Sequence, residues 1–121
     1  MEITTEDRPD GVFLMRLAGR LDIAGAGAVD LPFAAHLSNR KGPVVVDISG
    51  VSYLASLGVR TLLVNARTLA GRGSQLRLAA PNDDVRAVLE ALSLEAVLPI
   101  YDSVEDACAA AASGAEESLW R

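Results

Sequence analysis

The sequence feature that most constrains the fold lies at residues 43–70, where a run of β-branched side chains is followed by a helical pattern. Residues 44–48, VVVDI, are almost continuously apolar, which is typical of a central strand covered on both faces. From Ser56 onward, apolar residues recur at the spacing of one helix face. We interpret residues 49–54 as a turn between the two elements. The stretch therefore predicts a strand, a turn and an amphipathic helix near the middle of a sheet.

Ser56 stands where this helix is expected to begin, so its hydroxyl would lie beside backbone N–H groups that have no partner within the helix. A serine at this place has three interpretations. It can cap the helix, it can react as a nucleophile, or it can be modified by another protein.

The segment before the central strand predicts a hairpin and a helix. Residues 2–5 and 11–17 read as two short strands, and a helix is expected within residues 23–40. A helix start near residue 28 would leave Pro32 in the first turn, whereas an earlier start would place it where it kinks the helix. Gly25 and Gly27 favour the later start. The predicted buried face consists of Val29, Phe33 and Leu37.

The segment after the central helix continues the alternation of strands and helices. Gly71 and Gly73 end the central helix, residues 75–79 read as a strand, and residues 81–84, PNDD, start the next helix. Residues 96–101 predict an edge strand, because Pro99 cannot donate a ladder hydrogen bond. The buried face of the third helix is expected to be Val85, Val88, Leu89 and Leu92. Ser103 and Asp106 resemble a capping box that opens a final alanine-rich helix.

These elements predict an α/β fold with a mixed β-sheet of four to five strands and about four helices. The 121-residue length fits one domain, which we expect to span residues 1–112. The helical pattern decays after about residue 112. Residues 113–121 are therefore expected to form a flexible tail, with Trp120 in it.

Composition excludes several classes of function. The formal net charge is −5, and the basic residues are scattered singly, so nucleic acid is not an expected partner. No apolar run reaches the roughly 20 residues of a membrane-spanning helix, and the first ten residues do not resemble a secretory signal. The single cysteine, Cys108, has no intrachain partner, which suits a reducing compartment. We expect a cytoplasmic protein.

The sequence offers little for catalysis. A nucleophilic Ser56 needs a general base, and the single histidine, His36, is expected on a helix surface. Residues 54–58, LASLG, lack the first glycine of a G-x-S-x-G elbow, and no phosphate-binding loop is present. Asp83 and Asp84 fit a helix start better than a metal site. We therefore predict no catalytic residue, no cofactor and no metal.

Two motifs carry a resemblance to a known family. Residues 47–60, DISGVSYLASLGVR, preceded by residues 19–22, GRLD, resemble the signature of STAS domains, specifically of bacterial anti-sigma factor antagonists. The resemblance implies a regulatory module that binds an anti-sigma factor serine kinase while Ser56 is unmodified and releases it when Ser56 is phosphorylated. It also implies a PP2C-type phosphatase that resets the switch and a sigma factor that is affected indirectly.

The resemblance assigns roles residue by residue. Ser56 matches the phosphorylated serine, Gly58 matches the family glycine, and Asp22 matches the acidic residue of the G-x-L-D turn near that serine. Many members have Asp-Ser-Ser-Gly where this chain has residues 55–58, ASLG, so the acid before the serine is missing here. The predicted partner-binding residues are Asp22, Tyr53, Leu54, Leu57, Gly58 and Arg60.

Other interpretations of these residues stay open at this point. Tyr53 and Leu57 fit simple packing, Asp22 fits a turn acceptor, and Arg60 fits a solvated charge. Two other functions also stay open. The chain is then either a constitutive STAS scaffold in a transport or sensory complex, with Ser56 unphosphorylated, or an enzyme that uses Ser56 as its nucleophile.

Overall fold

The computed structural model describes the backbone of residues 1–38 and 42–118, with side chains as far as residue 113. Strands and helices alternate along these residues, as the sequence predicts. The strands are β1 (Glu2–Asp7), β2 (Phe13–Leu21), β3 (Val44–Leu54), β4 (Leu76–Ala79) and β5 (Ile100–Tyr101). The helices are α1 (Ile23–Leu37), α2 (Ser56–Ala70), α3 (Asp83–Ala91) and α4 (Val104–Ser118).

The five strands form one mixed sheet in the order β1-β2-β3-β4-β5. β1 pairs with β2 in an antiparallel hairpin, and the other pairs are parallel. The predicted mixed α/β fold is therefore confirmed. β1, with its acidic residues Glu2, Glu6 and Asp7, lies at one edge of the sheet. The two-residue strand β5 lies at the other edge.

β3 lies in the middle of the sheet and is covered on both faces, which confirms its predicted place. Val44, Val46 and Ile48 belong to a large apolar cluster that α1, α2 and α3 complete on one face. Val45 belongs to a smaller cluster on the other face, where α4 contributes Cys108. Burial raises the pKa of the Cys108 thiol, and the side chain is not on the surface.

The predicted turn at residues 49–54 is wrong, because β3 continues through to Leu54. The buried side chains of Val51 and Leu54 hold this extension in the core. It also pairs with the end of β2, where irregular register brings Leu21 opposite Leu54. A Cβ at Gly50 would lie 2.9 Å from Ala18 Cβ, so glycine permits this close pairing. Only Ala55 separates β3 from α2.

The predicted late start of α1 is also wrong, since the helix begins at Ile23 and contains Pro32 in its interior. The Asp22 side chain caps the helix by accepting the Gly25 N–H at 2.9 Å. Gly25 stands in the first turn for a steric reason, because a Cβ there would lie 1.9 Å from the carbonyl oxygen of Arg20. The buried face is the predicted one, with Val29, Phe33 and Leu37.

The third helix is capped as predicted but buries less than predicted. Asn82 accepts the Val85 N–H at 2.8 Å, which confirms the helix start. Val85 and Leu89 are buried, whereas Val88 and Leu92 are exposed. The helix ends at Ala91, and neither exposed side chain lies on the face that meets the sheet.

The last two elements differ in length from the prediction. β5 covers only two residues, because residues 95–97 form a turn in which Val97 N–H donates to Leu94 O. The Ser103 hydroxyl accepts the Asp106 N–H at 3.0 Å, which confirms the helix start. The helix continues to Ser118. The flexible tail predicted for residues 113–121, including Trp120, falls largely outside the described side chains and stays a prediction.

None of the helices, within the described part of the chain, combines the length and apolar character needed to cross a membrane.

Candidate functional site

The site predicted from the sequence lies where β2 and β3 end side by side. Leu21 pairs with Leu54 at the carboxyl ends of these parallel strands, and the Ala55 N–H donates to Leu21 O at 3.0 Å. α1 begins two residues after Leu21, and α2 begins two residues after Leu54. The two helix N-termini therefore lie next to each other at this end of the sheet.

Asp22 is the N-cap of α1. One carboxylate oxygen accepts the Gly25 N–H at 2.9 Å, and the other accepts Arg20 Nε at 3.3 Å. The hydrogen bond from Gly25, assisted by Arg20, lowers the pKa of Asp22 below its usual value. Asp22 is therefore a charged capping residue, partly exposed at the edge of the site.

Arg20 connects two residues of the predicted surface. Its guanidinium carbon lies 4.5 Å from the centroid of the Tyr53 ring, while Nε donates to Asp22. Tyr53 is 45% exposed, and Arg20 connects it to Asp22. Sequence reasoning missed Arg20, because Arg20 comes opposite Tyr53 only when β3 extends past the predicted turn.

Ser56 is the first residue of α2, and Ala55 occupies the N-cap position without a capping side chain. The interpretation of Ser56 as the N-cap is therefore wrong. The Val59 N–H is the first in the helix to find a carbonyl, that of Ala55 at 3.0 Å. The Ser56 side chain is exposed, and its hydroxyl makes no hydrogen bond to any described residue.

Gly58 and Leu54 are buried and lie beneath the surface formed by their neighbours. A Cβ at Gly58 would lie 2.6 Å from both Cγ and the carbonyl oxygen of Leu21, so only glycine lets α2 approach the end of β2 this closely. Leu54 packs in the main apolar cluster. These two residues position Ser56, and their side chains offer little surface to a partner.

The exposed residues of the predicted surface are divided between two grooves, and the partly exposed Asp22 lines neither of them. The α1–α2 groove, about 740 Å³, contains Leu57 and Arg60. The α2–α3 groove, about 410 Å³, contains Tyr53 and Ser56. The other members of the α2–α3 groove are Leu54, Ala55, Val59, Val88, Ala91 and Leu92.

The geometry around Ser56 does not assemble a catalytic pair. His36 lies on the exposed side of α1 in its last turn, with its ring centroid 6.5 Å from that of Phe13. No described residue donates to or accepts from the Ser56 hydroxyl. No group of three or more His, Cys, Asp or Glu residues that could hold a metal occurs in the described part of the chain.

A family model described as "Mlab, STAS domain" matches residues 4–99. This chain belongs to the STAS domain family. BtrV of Bordetella bronchiseptica, assigned as an anti-sigma factor antagonist, is 30% identical to this STAS domain over 106 residues, or 88% of this chain and 91% of BtrV. The anti-sigma-F factor antagonist RsfB of Mycobacterium tuberculosis is 21% identical over 87% of this chain and 84% of its own.

Solved structures show the same fold. An anti-sigma factor antagonist from Mycobacterium paratuberculosis has a TM-score of 0.83 at 24% identity, over 91% of this STAS domain and 92% of that chain. SpoIIAA in its unphosphorylated form has a TM-score of 0.73 at 18% identity, over 93% and 97%. The murine anion transporter Slc26a9 gives 0.75 at 19% identity, over 85% of this domain but only 18% of the transporter.

Proposed function

We propose that this STAS domain is a non-catalytic anti-sigma factor antagonist that is switched by phosphorylation of Ser56. Unmodified, it binds an anti-sigma factor serine kinase, and a sigma factor is released as an indirect result. Phosphorylated, it dissociates, and a PP2C-type phosphatase restores the binding form. The observation that carries the proposal is the exposed, unbonded Ser56 hydroxyl at the start of α2. Relatives assigned as anti-sigma factor antagonists supply the partner class.

The position of Ser56 suits a kinase substrate. The side chain is exposed and holds no hydrogen bond to the described residues, so a kinase has no internal contact to break. The backbone beneath it is firm, because Ala55 is bonded to Leu21 and Gly58 packs on the same residue. The hydroxyl is therefore accessible, and the backbone that carries it is held in one place.

The fold is expected to tolerate the phosphoryl group. Phosphorylation adds about −1.5 to −2 charges, and a helix N-terminus stabilises negative charge through its dipole and its free amides. Arg60 stands four residues after Ser56 on α2 and has no ion-pair partner among the described residues. Its side chain lines the α1–α2 groove, whereas Ser56 lines the α2–α3 groove, so the N-terminus of α2 is expected to stabilise the phosphate without help from Arg60.

The same modification would oppose docking. The groups next to Ser56 include Tyr53, which is 45% exposed, and Leu57, which is 41% exposed. A partner that covers both side chains also covers Ser56, which lies between them in the sequence. It therefore has to remove water from the serine hydroxyl or from the phosphate that replaces it. Desolvating a phosphate dianion without a matched cation costs far more than covering a serine hydroxyl. With Ala55 in place of an acid, the unmodified surface is more apolar still.

The first test is phosphoryl transfer. Incubation with the cognate anti-sigma factor kinase and ATP should increase the intact mass by one phosphoryl group in the wild type and in Ser52→Ala. Ser52 is an exposed serine in the same segment and serves as the matched control. Ser56→Ala should show no increase. An unmodified wild type, or an increase that persists in Ser56→Ala, contradicts the proposed site.

The second test is binding. Ser56→Asp should weaken binding to the kinase by about tenfold or more, measured by calorimetry, because it places a charge in the apolar contact. Ser52→Asp should change the affinity by less than about twofold. Equal affinity of Ser56→Asp and wild type rules out the switch.

A constitutive STAS scaffold remains the second candidate, and the observation that favours it is Ala55. The acid that the family resemblance places before the phosphorylated serine is absent here. Under this alternative, Ser56 stays unmodified in protein purified from its own host. An ATP-binding transport subunit, instead of a small kinase, would then co-purify with the chain. Intact mass before and after phosphatase treatment separates the two functions.

A further inference from the structure

The α1–α2 groove exposes more apolar surface than the predicted partner surface requires. Ile23 is 72% exposed and Leu31 is 82% exposed, and Val64 is exposed on the facing side of α2. Large apolar side chains grouped this way on a small domain usually mark a contact surface. Ile23, Leu31 and Val64 belong to neither motif of the family resemblance.

The floor of this groove is made of small residues. Ala26, Gly27 and Ala34 of α1 line it between the larger side chains. A Cβ at Gly27 would meet nothing within 4 Å, so there is open space directly above the helix backbone. Small residues between large ones let another helix approach closely and place its side chains between the ridges.

The walls of the groove are held by two polar contacts. The Thr61 hydroxyl, which is buried, donates to Asp30 Oδ1 at 2.6 Å and so joins α2 to α1 near their middle. Arg72 Nη1 donates to the carbonyl oxygen of Leu37 at 2.6 Å and joins them at the far end. The groove is therefore formed before any partner arrives, which lowers the entropic cost of binding.

The charge of the groove is opposite to that of the whole chain. Its lining contains two basic residues, Arg60 and Arg72, and one acidic residue, Asp30. The lining therefore carries a net positive charge in a chain whose formal net charge is −5. Complementarity favours a partner with acidic side chains beside its apolar face.

We propose that the α1–α2 groove is a second docking surface, which binds an amphipathic helix of another protein with an apolar face and acidic flanks. α1 and α2 have 15 residues each, so the groove runs about 20 Å, the length of a helix of about four turns. Ser56 lines the other groove, so binding here is independent of its phosphorylation.

The probe is a pair of synthetic 18-residue helical peptides with identical leucine positions at i, i+3, i+4 and i+7. One peptide carries glutamates on both flanks, and the other carries lysines. We expect the glutamate peptide to bind with a Kd below about 1 mM and at least about tenfold tighter than the lysine peptide. In ¹H–¹⁵N NMR spectra, the shifted amides should lie in residues 23–38 and 57–72.

Variants locate the binding. Leu31→Ser and Val64→Ser should each weaken the glutamate peptide about fivefold or more, whereas Leu92→Ser, in the α2–α3 groove, should not change its affinity. Ser56→Asp should change it by less than about threefold. Arg60→Glu should remove the preference for glutamate over lysine. Because these side chains are on the surface, circular dichroism should show that each variant is folded.

Several outcomes overturn the inference. These are no binding of either peptide, equal binding of both, or amide shifts centred on α3. Sedimentation that shows a dimer broken by Leu31→Ser assigns the groove to a second copy of this chain instead. Loss of peptide binding in Ser56→Asp with unchanged kinase phosphorylation of the wild type refutes this inference and leaves the proposed function intact.

Discussion

The two grooves on either side of α2 differ in how they are built. The α1–α2 groove is lined by arginines and is braced by the Thr61 and Arg72 contacts between its walls. The α2–α3 groove contains Ser56 and is walled by apolar side chains of α3 that stand clear of the core. Neighbouring residues on a helix point about 100° apart. Ser56 and Leu57 therefore face different grooves. The α2–α3 groove contains the serine that we propose is phosphorylated, and the α1–α2 groove does not.

The largest effect on stability is expected from adding a methyl group at Gly58, which packs the start of α2 against Leu21. Gly58→Ala should lower the free energy of unfolding by about 1–3 kcal/mol, because its Cβ would lie 2.6 Å from Leu21. Urea unfolding measures the change. The control, Gly27→Ala, adds its Cβ in open space within α1 and should raise stability by about 0.5–1 kcal/mol. Equal effects of the two substitutions would contradict the close packing at Leu21.

The hydrogen bond between Thr61 and Asp30, which joins the walls of the α1–α2 groove, should contribute somewhat less to the free energy of unfolding. Thr61→Val keeps the shape of the side chain and removes the hydrogen bond to Asp30, which should cost about 1–2 kcal/mol. Thr68→Val removes a hydroxyl that bonds only to the carbonyl of Val64 in its own helix, and it should be nearly neutral. Thermal unfolding of the two variants compares them directly. A neutral Thr61→Val would mean that the groove is not braced by this contact.

A smaller difference should separate the grooves in kinase binding. Leu92→Ser, in the α2–α3 groove, should weaken binding to the anti-sigma factor kinase about fivefold, or about 1 kcal/mol. Leu31→Ser, in the α1–α2 groove, should leave that affinity within about twofold of the wild type. Calorimetry with the same kinase preparation measures both. The reverse pattern would show that the kinase binds the α1–α2 groove and not the α2–α3 groove.

The smallest effect concerns pH and the Asp22 cap. Its pKa is lowered in the folded state, so its carboxylate adds stability above the usual aspartate pKa of about 4 and loses it as pH falls through the folded-state pKa. Asp22→Asn keeps a capping oxygen and removes the charge. Wild type should therefore be more stable than Asp22→Asn at neutral pH, and the difference should shrink in acid. A difference independent of pH would show that charge has no role in this cap.

The sequence predicted the sheet well because burial and β-branching coincide in β3, and the helix caps at Asn82 and Ser103 follow simple chemistry. It failed where a distant strand decides the local structure. Residues 49–54 look like a turn until β2 pairs with them. The early start of α1 similarly depends on the approach of Gly25 to the Arg20 carbonyl.

The role of Ser56 stays a prediction, and the structure differs from the sequence analysis in the surroundings of this residue. The motif indicated Ser56 and its neighbours, but it did not distinguish buried Leu54 and Gly58 from exposed Tyr53 and Leu57. Arg20 and Thr61 carried no local signal. Thr61 lies off the apolar face of α2, and only the packing of α1 explains why it is buried.

The two edge strands of the sheet affect how readily this protein aggregates at high concentration. Unpaired strand edges invite other copies to join and form aggregates. Here one edge strand carries three carboxylates, of which Glu6 is paired with Arg16, and the other edge strand is only two residues long. The negative charge of β1 and the short length of β5 both disfavour strand pairing between copies of this chain. Replacing the acids of β1 with threonine is therefore expected to leave the fold of a single molecule intact and to increase aggregation at high protein concentration.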